Sequence, residues 1–403
     1  MSSRSQALLI FAVTYVAYGA MYFARKPFSV VKGTLESEVG ISRDALALID
    51  SALLAMYAIG QLSLGVTVKA LGSHAPLVLS FLFAGAFTAA VGLADSAILM
   101  GLFWGLSGLT AAAANPLFCI MLAETLPVSI RATALGVWSS CQQLGGISAN
   151  VVSAMMLARY GWRSVFFTAG AVVAAFAPLL LAAMPRRSES GGAAQETQKK
   201  ACGTPWYKVP GAVSVAVSYT LVKMARYCLM FWLPYFLARR VGMSAMRAGS
   251  ASAMLDLGGM VGAVLTGIAC DKFYGGATFA ISRHLCFGTA VGFFCWTAAS
   301  ASMAQPPESM HLLAILLVGF CIAGPDGVLG GGSARMLVEY AGMQDDPTLA
   351  ASVSAMINGC GSVGAVLQGI LTTKLVETAG WDGLFLTLAC ALLLAGIMLR
   401  SAV

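Results

Sequence analysis

Apolar residues run through this chain in long stretches, and polar positions fall mainly between them. The runs lie near residues 7–31, 44–68, 75–94, 97–122, 131–158 and 163–184. A second set lies near 209–238, 246–270, 284–303, 311–338, 349–373 and 383–400. Each has about the 20 residues that a helix needs to cross a bilayer. The runs lack the alternation of barrel strands. The pattern predicts an all-α membrane protein of about twelve transmembrane helices, six on each side of one polar stretch. That stretch, residues 185–208, reads "PRRSESGGAAQETQKKACGTPWYK". Its Ser, Gly, Gln and charges mark a flexible linker. The expected organisation is an N-terminal bundle over 1–184, the linker over 185–208 and a C-terminal bundle over 209–403.

The two halves repeat each other. Gly267 and Asp271 in "GAVLTGIACDKF" have the spacing of Gly65 and Lys69 in "GQLSLGVTVKAL". "GWRSVFF" and "GWDGLF" open the last helix of each half with Gly-Trp. A half-chain repeat in a twelve-helix membrane protein implies two pseudo-symmetric bundles that share one ligand site.

Composition narrows the class. Of 403 residues, 59% are hydrophobic and 10% charged, against about 25% charged in soluble domains. Such a chain cannot cover a water-facing surface, so it is read as integral to a lipid bilayer. The 44 glycines are spread through the apolar runs, where small residues let helices approach closely. The net charge of +7 comes from scattered bases without a basic tract, so no nucleic-acid partner is expected. The ten cysteines have no metal-ligand spacing and read as small apolar packers. His74, His284 and His311 lie near predicted loop ends with no nucleophile or metal pattern beside them, so neither enzyme chemistry nor a cofactor is expected. "GVLGGGSAR", residues 327–335, lacks the G-K-[ST] ending of a phosphate loop and reads as close helix packing. The start "MSSRSQALLIFAV" has no small-residue cleavage site, so the first span is expected to remain as an anchor. Arg186, Arg187, Lys199, Lys200 and Lys208 put the linker and both termini in the cytoplasm by the positive-inside rule. Arg239, Arg240 and Arg247 run against that orientation.

Cations inside the spans carry the functional signal. Arg226 and Lys223 lie near the middle of the seventh run, too deep to snorkel easily. A charge at that depth costs at least about 2.5–3.5 kcal/mol on insertion scales, so it faces the bundle interior or a water-filled cavity. Arg25 lies 201 residues before Arg226, and Tyr18 lies 201 before Tyr219; Lys223 falls on Tyr22. Seven residues is two helical turns, so Tyr18, Tyr22 and Arg25 share a face, as do Tyr219, Lys223 and Arg226. Alone, Arg25 reads equally well as an interfacial anchor, and Pro27 favours a helix end there. Arg226 alone reads as half of an ion pair with Asp256 or Asp326. The shared offset favours a paired anion site. Two guanidinium forks, Lys223 and tyrosine hydroxyls suit a phosphate dianion better than a carboxylate.

"YGAMYFARKPFSVV", "MYAIGQLSLGV", "LVKMARYCLMFWLPYFL", "MLDLGGMVGAVLTGIACD", "CIAGPDG" and "INGCGSVGAVLQG…GWDGLF" resemble the organophosphate:phosphate antiporters of the major facilitator superfamily. The nearest branch is the eukaryotic sugar-phosphate exchangers. The resemblance covers nearly the whole chain. It implies that Arg25 and Arg226 bind phosphate and that Tyr18, Tyr22 and Tyr57 line the same cavity. Gln142 stands where the family has a cavity histidine, and Gln61 where some members have a lysine. Lys223 replaces the tyrosine three residues before the second arginine; the exchanger branch carries a lysine there but tends to lack the following arginine. Asn115-Pro116-Leu117 replaces a Trp-Pro-Pro, and Lys69 replaces a loop aspartate.

The resemblance implies exchange of a sugar phosphate or glycerol phosphate for inorganic phosphate by a monomer, through alternating access of two rocking bundles. An empty site would hold uncompensated positive charge, which favours obligatory exchange. Lys26, Asp256, Asp326 and Asp271 are candidate gating or ion-pair residues, with Lys26 expected to pair with Asp256. Two alternatives stand beside this reading. One is proton-coupled symport of an organic anion, with Asp326 or Asp50 carrying the proton. The other is a transporter-like sensor of sugar phosphate.

Overall fold

A computed structural model describes residues 3–72, 74–126, 134, 137–183, 205–274, 277–303, 305–330, 333–343 and 349–402. The helices are α1 (Ser3–Ala20), α2 (Pro27–Thr34), α3 (Arg43–Leu71), α4 (His74–Val91), α5 (Ala97–Ala111), α6 (Ala114–Thr125), α7 (Cys141–Tyr160) and α8 (Trp162–Ala183). They continue with α9 (Ala212–Arg239), α10 (Ala245–Phe273), α11 (Thr278–Ser302), α12 (Glu308–Gly330), α13 (Ser333–Tyr340) and α14 (Leu349–Met398).

Nine segments among the described residues are long and apolar enough to cross a membrane. One of them, Ser352–Met398, holds two helices joined at Gly380. Helices α7 and α9 are long enough but lie outside that set, because Gln142, Gln143 and Asn150 dilute the first and Lys223 and Arg226 the second. Counting these restores the expected twelve spans. The least apolar spans include those that carry candidate site residues, as the cost of polar groups in lipid would lead one to expect.

Two compact units divide the chain. One comprises Met1–Gly192 with Leu237–Ala253, and the other Ala193–Phe236 with Met254–Val403. Most of the predicted linker lies outside the described residues. The end of α9 and the start of α10 belong with the first unit. There Arg239 donates to the Gly33 carbonyl (2.8 Å) and pairs with Glu36 (3.1 Å), which also holds Arg43 (2.9 Å).

The Gly-Trp repeat has a backbone cause. Gly161 (φ 81°, ψ 174°) and Gly380 (φ 71°, ψ −175°) both adopt a conformation that an L side chain resists, and each precedes the tryptophan of a last helix. Sharp helix-to-helix joints at equivalent places need the same residue.

Breaks near prolines shape the first unit. Helix α1 tightens to a 3₁₀ turn over Met21–Ala24, and α2 restarts with Pro27 as its first residue. Proline lacks the N–H that would continue the ladder but suits a helix start. The Tyr22 carbonyl accepts from both the Arg25 and Lys26 amides at 3.0 Å. The span nevertheless continues from Ala7 to Val39. Arg25 therefore lies at the break within this apolar stretch. The 97–122 run is likewise interrupted at Ala112–Ala113, just before Pro116.

Candidate functional site

In the first unit the candidate residues gather around the broken helix. The Arg25 guanidinium lies over the Tyr57 ring, 4.2 Å from its centroid, and 5.7 Å from that of Tyr22. A cation over an aromatic face is held by the ring quadrupole. The Tyr22 hydroxyl donates to Gln142 Oε1 (2.7 Å), and Gln61 Nε2 donates to the Tyr57 hydroxyl (3.3 Å). Tyr22, Arg25, Tyr57, Gln61 and Gln142 thus form one linked group drawn from three spans. Tyr18 is buried behind them, stacked on Trp138 at 5.1 Å. It supports the face as packing, and Trp138, fixed by a bond from its Nε1 to Thr14 Oγ1 (3.1 Å), supports Tyr18.

One helical feature holds this group in register. Lys32 pairs with Asp50, and both are fully buried. Lys32 lies seven residues after Arg25, and Asp50 seven before Tyr57. The ion pair and the Arg25–Tyr57 contact are therefore two bridges in one antiparallel register, two helical turns apart. Asp50, a candidate proton carrier from sequence, is held by a lysine that sequence reasoning overlooked. The seven-residue spacing from Arg25 is the sequence signal that could have found Lys32.

The second unit presents its own face. Lys223 Nζ sits 5.2 Å from the Tyr219 ring centroid and 5.9 Å from that of Tyr227, and donates to Ser362 Oγ (3.4 Å). Tyr219 is buried in a glycine cradle. A Cβ on Gly361 would come 2.6 Å from its Cδ1, and one on Gly330 would come 2.3 Å from its hydroxyl. Gly330, within the "GVLGGG" run, therefore makes room for this ring. Arg226 Nε pairs with Asp326 Oδ2 at 3.2 Å, with the side chains 20% and 22% exposed. One edge of its fork meets a carboxylate, as the ion-pair alternative for Arg226 expects. Of the two acids that the sequence offers, Asp256 and Asp326, the second is paired with Arg226. Asp256 lines a small cleft with Arg226, Met230, Leu255 and Ile322.

Lys26 is 1% exposed at the start of α2, and Asp271 lies in the last turn of α10, its side chain outside the described residues. Among the described residues no group of His, Cys, Asp and Glu could hold a metal ion. His311, expected near a loop end, lies in the first turn of α12 but is buried, accepting from Trp296 Nε1 at its Nδ1 (2.9 Å).

Residues 14–340 match the sequence profile of the Major Facilitator Superfamily. An Arabidopsis thaliana protein provisionally named glycerol-3-phosphate transporter 2 is 27% identical, over 100% of this chain and 88% of the relative. The Bos taurus glucose-6-phosphate exchanger SLC37A2 is 23% identical, over 97% of this chain and 92% of the relative. Among solved structures, a D-xylose-proton symporter aligns with a TM-score of 0.71 at 18% identity, covering 98% of each chain. A bacterial homologue of the human lysosomal transporter Spinster, inward-facing and occupied, aligns at 0.70 and 16% identity, over 98% of this chain and 93% of that one. At these identities the solved structures speak to the fold alone.

Proposed function

The chain belongs to the major facilitator superfamily, and on that premise we propose that it exchanges an organic phosphate ester for inorganic phosphate across a membrane. Relatives named as glycerol-3-phosphate transporters and as glucose-6-phosphate exchangers, aligned over nearly the whole chain, support a phosphorylated substrate. The observation that carries the reading is the pair of cationic faces, one in each unit. Arg25 with Tyr22 and Tyr57 forms one, and Arg226 with Lys223 and Tyr219 the other. Their 201-residue offset makes them counterparts in the repeat. We assign both arginines to one anion.

A guanidinium offers paired donors to phosphoryl oxygens, and lysine adds a point charge. Gln142, Gln61 and the tyrosine hydroxyls are neutral groups available to the organic part of the substrate. Alternating access around a fixed site is the transport step. Lys26 and Asp256 are assigned to gating, as an ion pair that forms in one state of the cycle. The linker and termini are assigned to the cytoplasmic side from the linker's bases.

Counterflow tests the reading. Proteoliposomes loaded with labelled phosphate should release label when glycerol 3-phosphate or glucose 6-phosphate is offered outside, and not when a plain carboxylate is offered. Silence with every phosphate ester would overturn the assignment.

A further inference from the structure

We propose that Asp326 is a built-in counter-ion, standing in for the substrate phosphate on Arg226 and allowing the empty transporter to complete its cycle. The inference rests on the phosphate reading above and deepens it.

The Arg226–Asp326 pair differs in kind from the Lys32–Asp50 pair. Lys32 and Asp50 are sealed from solvent, as a structural pair would be. Arg226 and Asp326 are each about one fifth exposed, beside Lys223 and the Tyr219 cradle. A phosphate arriving at Arg226 thus meets a fork that already has a carboxylate on its Nε. The carboxylate and a phosphoryl group seek the same kind of bond from the same group. Asp326 sits directly after Pro325 in α12. It is therefore held by a helix and needs no loop to bring it in.

Its consequence lies in the empty state. Passing a charged site through an occluded state strips it of water, and an unbalanced charge makes that step costly. If α9 carried Lys223 and Arg226 without an acid, only a bound anion could balance them. Asp326 balances Arg226 from within. The empty protein can then reorient, and net movement of phosphate becomes possible beside exchange. The same carboxylate weakens phosphate binding, because it must give up Arg226 to the substrate.

The test compares two fluxes in proteoliposomes loaded with labelled phosphate, with valinomycin and potassium clamping the potential. Exchange is release into medium containing phosphate, and net efflux is release into phosphate-free medium. The unaltered protein is expected to show net efflux above protein-free vesicles. Asp326→Asn is expected to keep exchange, to lower KM for phosphate and to reduce the ratio of net efflux to exchange by about tenfold or more, the effect of one lost charge contact on a barrier. Asp326→Glu is expected to keep the original ratio. Absence of net efflux in the unaltered protein overturns the proposal without any variant. An unchanged ratio in Asp326→Asn, or equal loss of both fluxes, also overturns it. Asp256→Asn runs in parallel, since Asp256 lines the same cleft; a fall in ratio there alone would move the role to Asp256. Absence of phosphate exchange in the unaltered protein would instead remove the phosphate reading, and the inference with it.

Discussion

Arg25 and Arg226 occupy matching places in the repeat but are oriented by different means. Arg25 lies over the face of Tyr57, and Arg226 is held through its Nε by Asp326. A ring quadrupole holds the one guanidinium and a carboxylate the other, so Arg226 must share its fork with an acid. Lysine can satisfy a point charge but not a fork. Arg226→Lys should therefore fold normally and lose exchange by roughly 10- to 100-fold, the value of one charge-assisted bond at about 1.5–3 kcal/mol. Normal exchange in this variant, measured by counterflow with protein amount checked by immunoblot, would count against the paired-arginine site. The arginines themselves were legible in the sequence, because a cation deep in an apolar run has few explanations. Their partners were legible only as a choice: Asp326 stood beside Asp256 as a candidate for Arg226, and the packed helices pair it with Arg226.

At the scale of the element, the first span is two helices with a joint. Pro27 reads from sequence as a helix end, and it is equally a helix start. The structure uses both properties: α1 closes through a 3₁₀ turn and α2 opens on the proline. Sequence rules see one residue at a time and could not tell an end from a restart. The joint leaves α2 dependent on other contacts, and Lys32–Asp50 supplies one deep inside. Removing one member strands a charge in a dry interior, at a cost of about 3–5 kcal/mol. Lys32→Met is accordingly expected to unfold at clearly lower temperature in detergent, or to fail to accumulate. The double variant Lys32→Met/Asp50→Leu, which removes both charges, is expected to recover most of that loss. Thermal unfolding of the two variants side by side decides the matter: a double variant no better than the single would mean that the pair does more than balance charge.

The whole molecule was the most legible level. Run lengths and low charge gave the membrane class, and the internal repeat gave two bundles; the superfamily profile and the solved transporters agree with both. Glycine before tryptophan, visible twice in the sequence, turned out to be a left-handed joint twice in the structure. One boundary between compact units, at Gly192–Ala193, falls within the polar stretch, but a second crossing was not legible. Leu237–Ala253 folds with the first unit although it lies deep in the second half. Hydrophobic patterning records which residues avoid water and is silent about which apolar neighbour they choose.

That exchange of territory makes the protein a threaded object. The chain enters the second unit once, returns to the first with the end of α9, and leaves again along α10. Cutting the polar stretch would not free two halves, since the second fragment carries its own docking piece, anchored by Arg239 on Gly33 and Glu36. Protein nicked between residues 185 and 204 by an introduced protease site should migrate as one particle in mild detergent and keep its exchange activity. Recovery of two separate fragments under those conditions would show that the linker, and not the threading, joins the molecule.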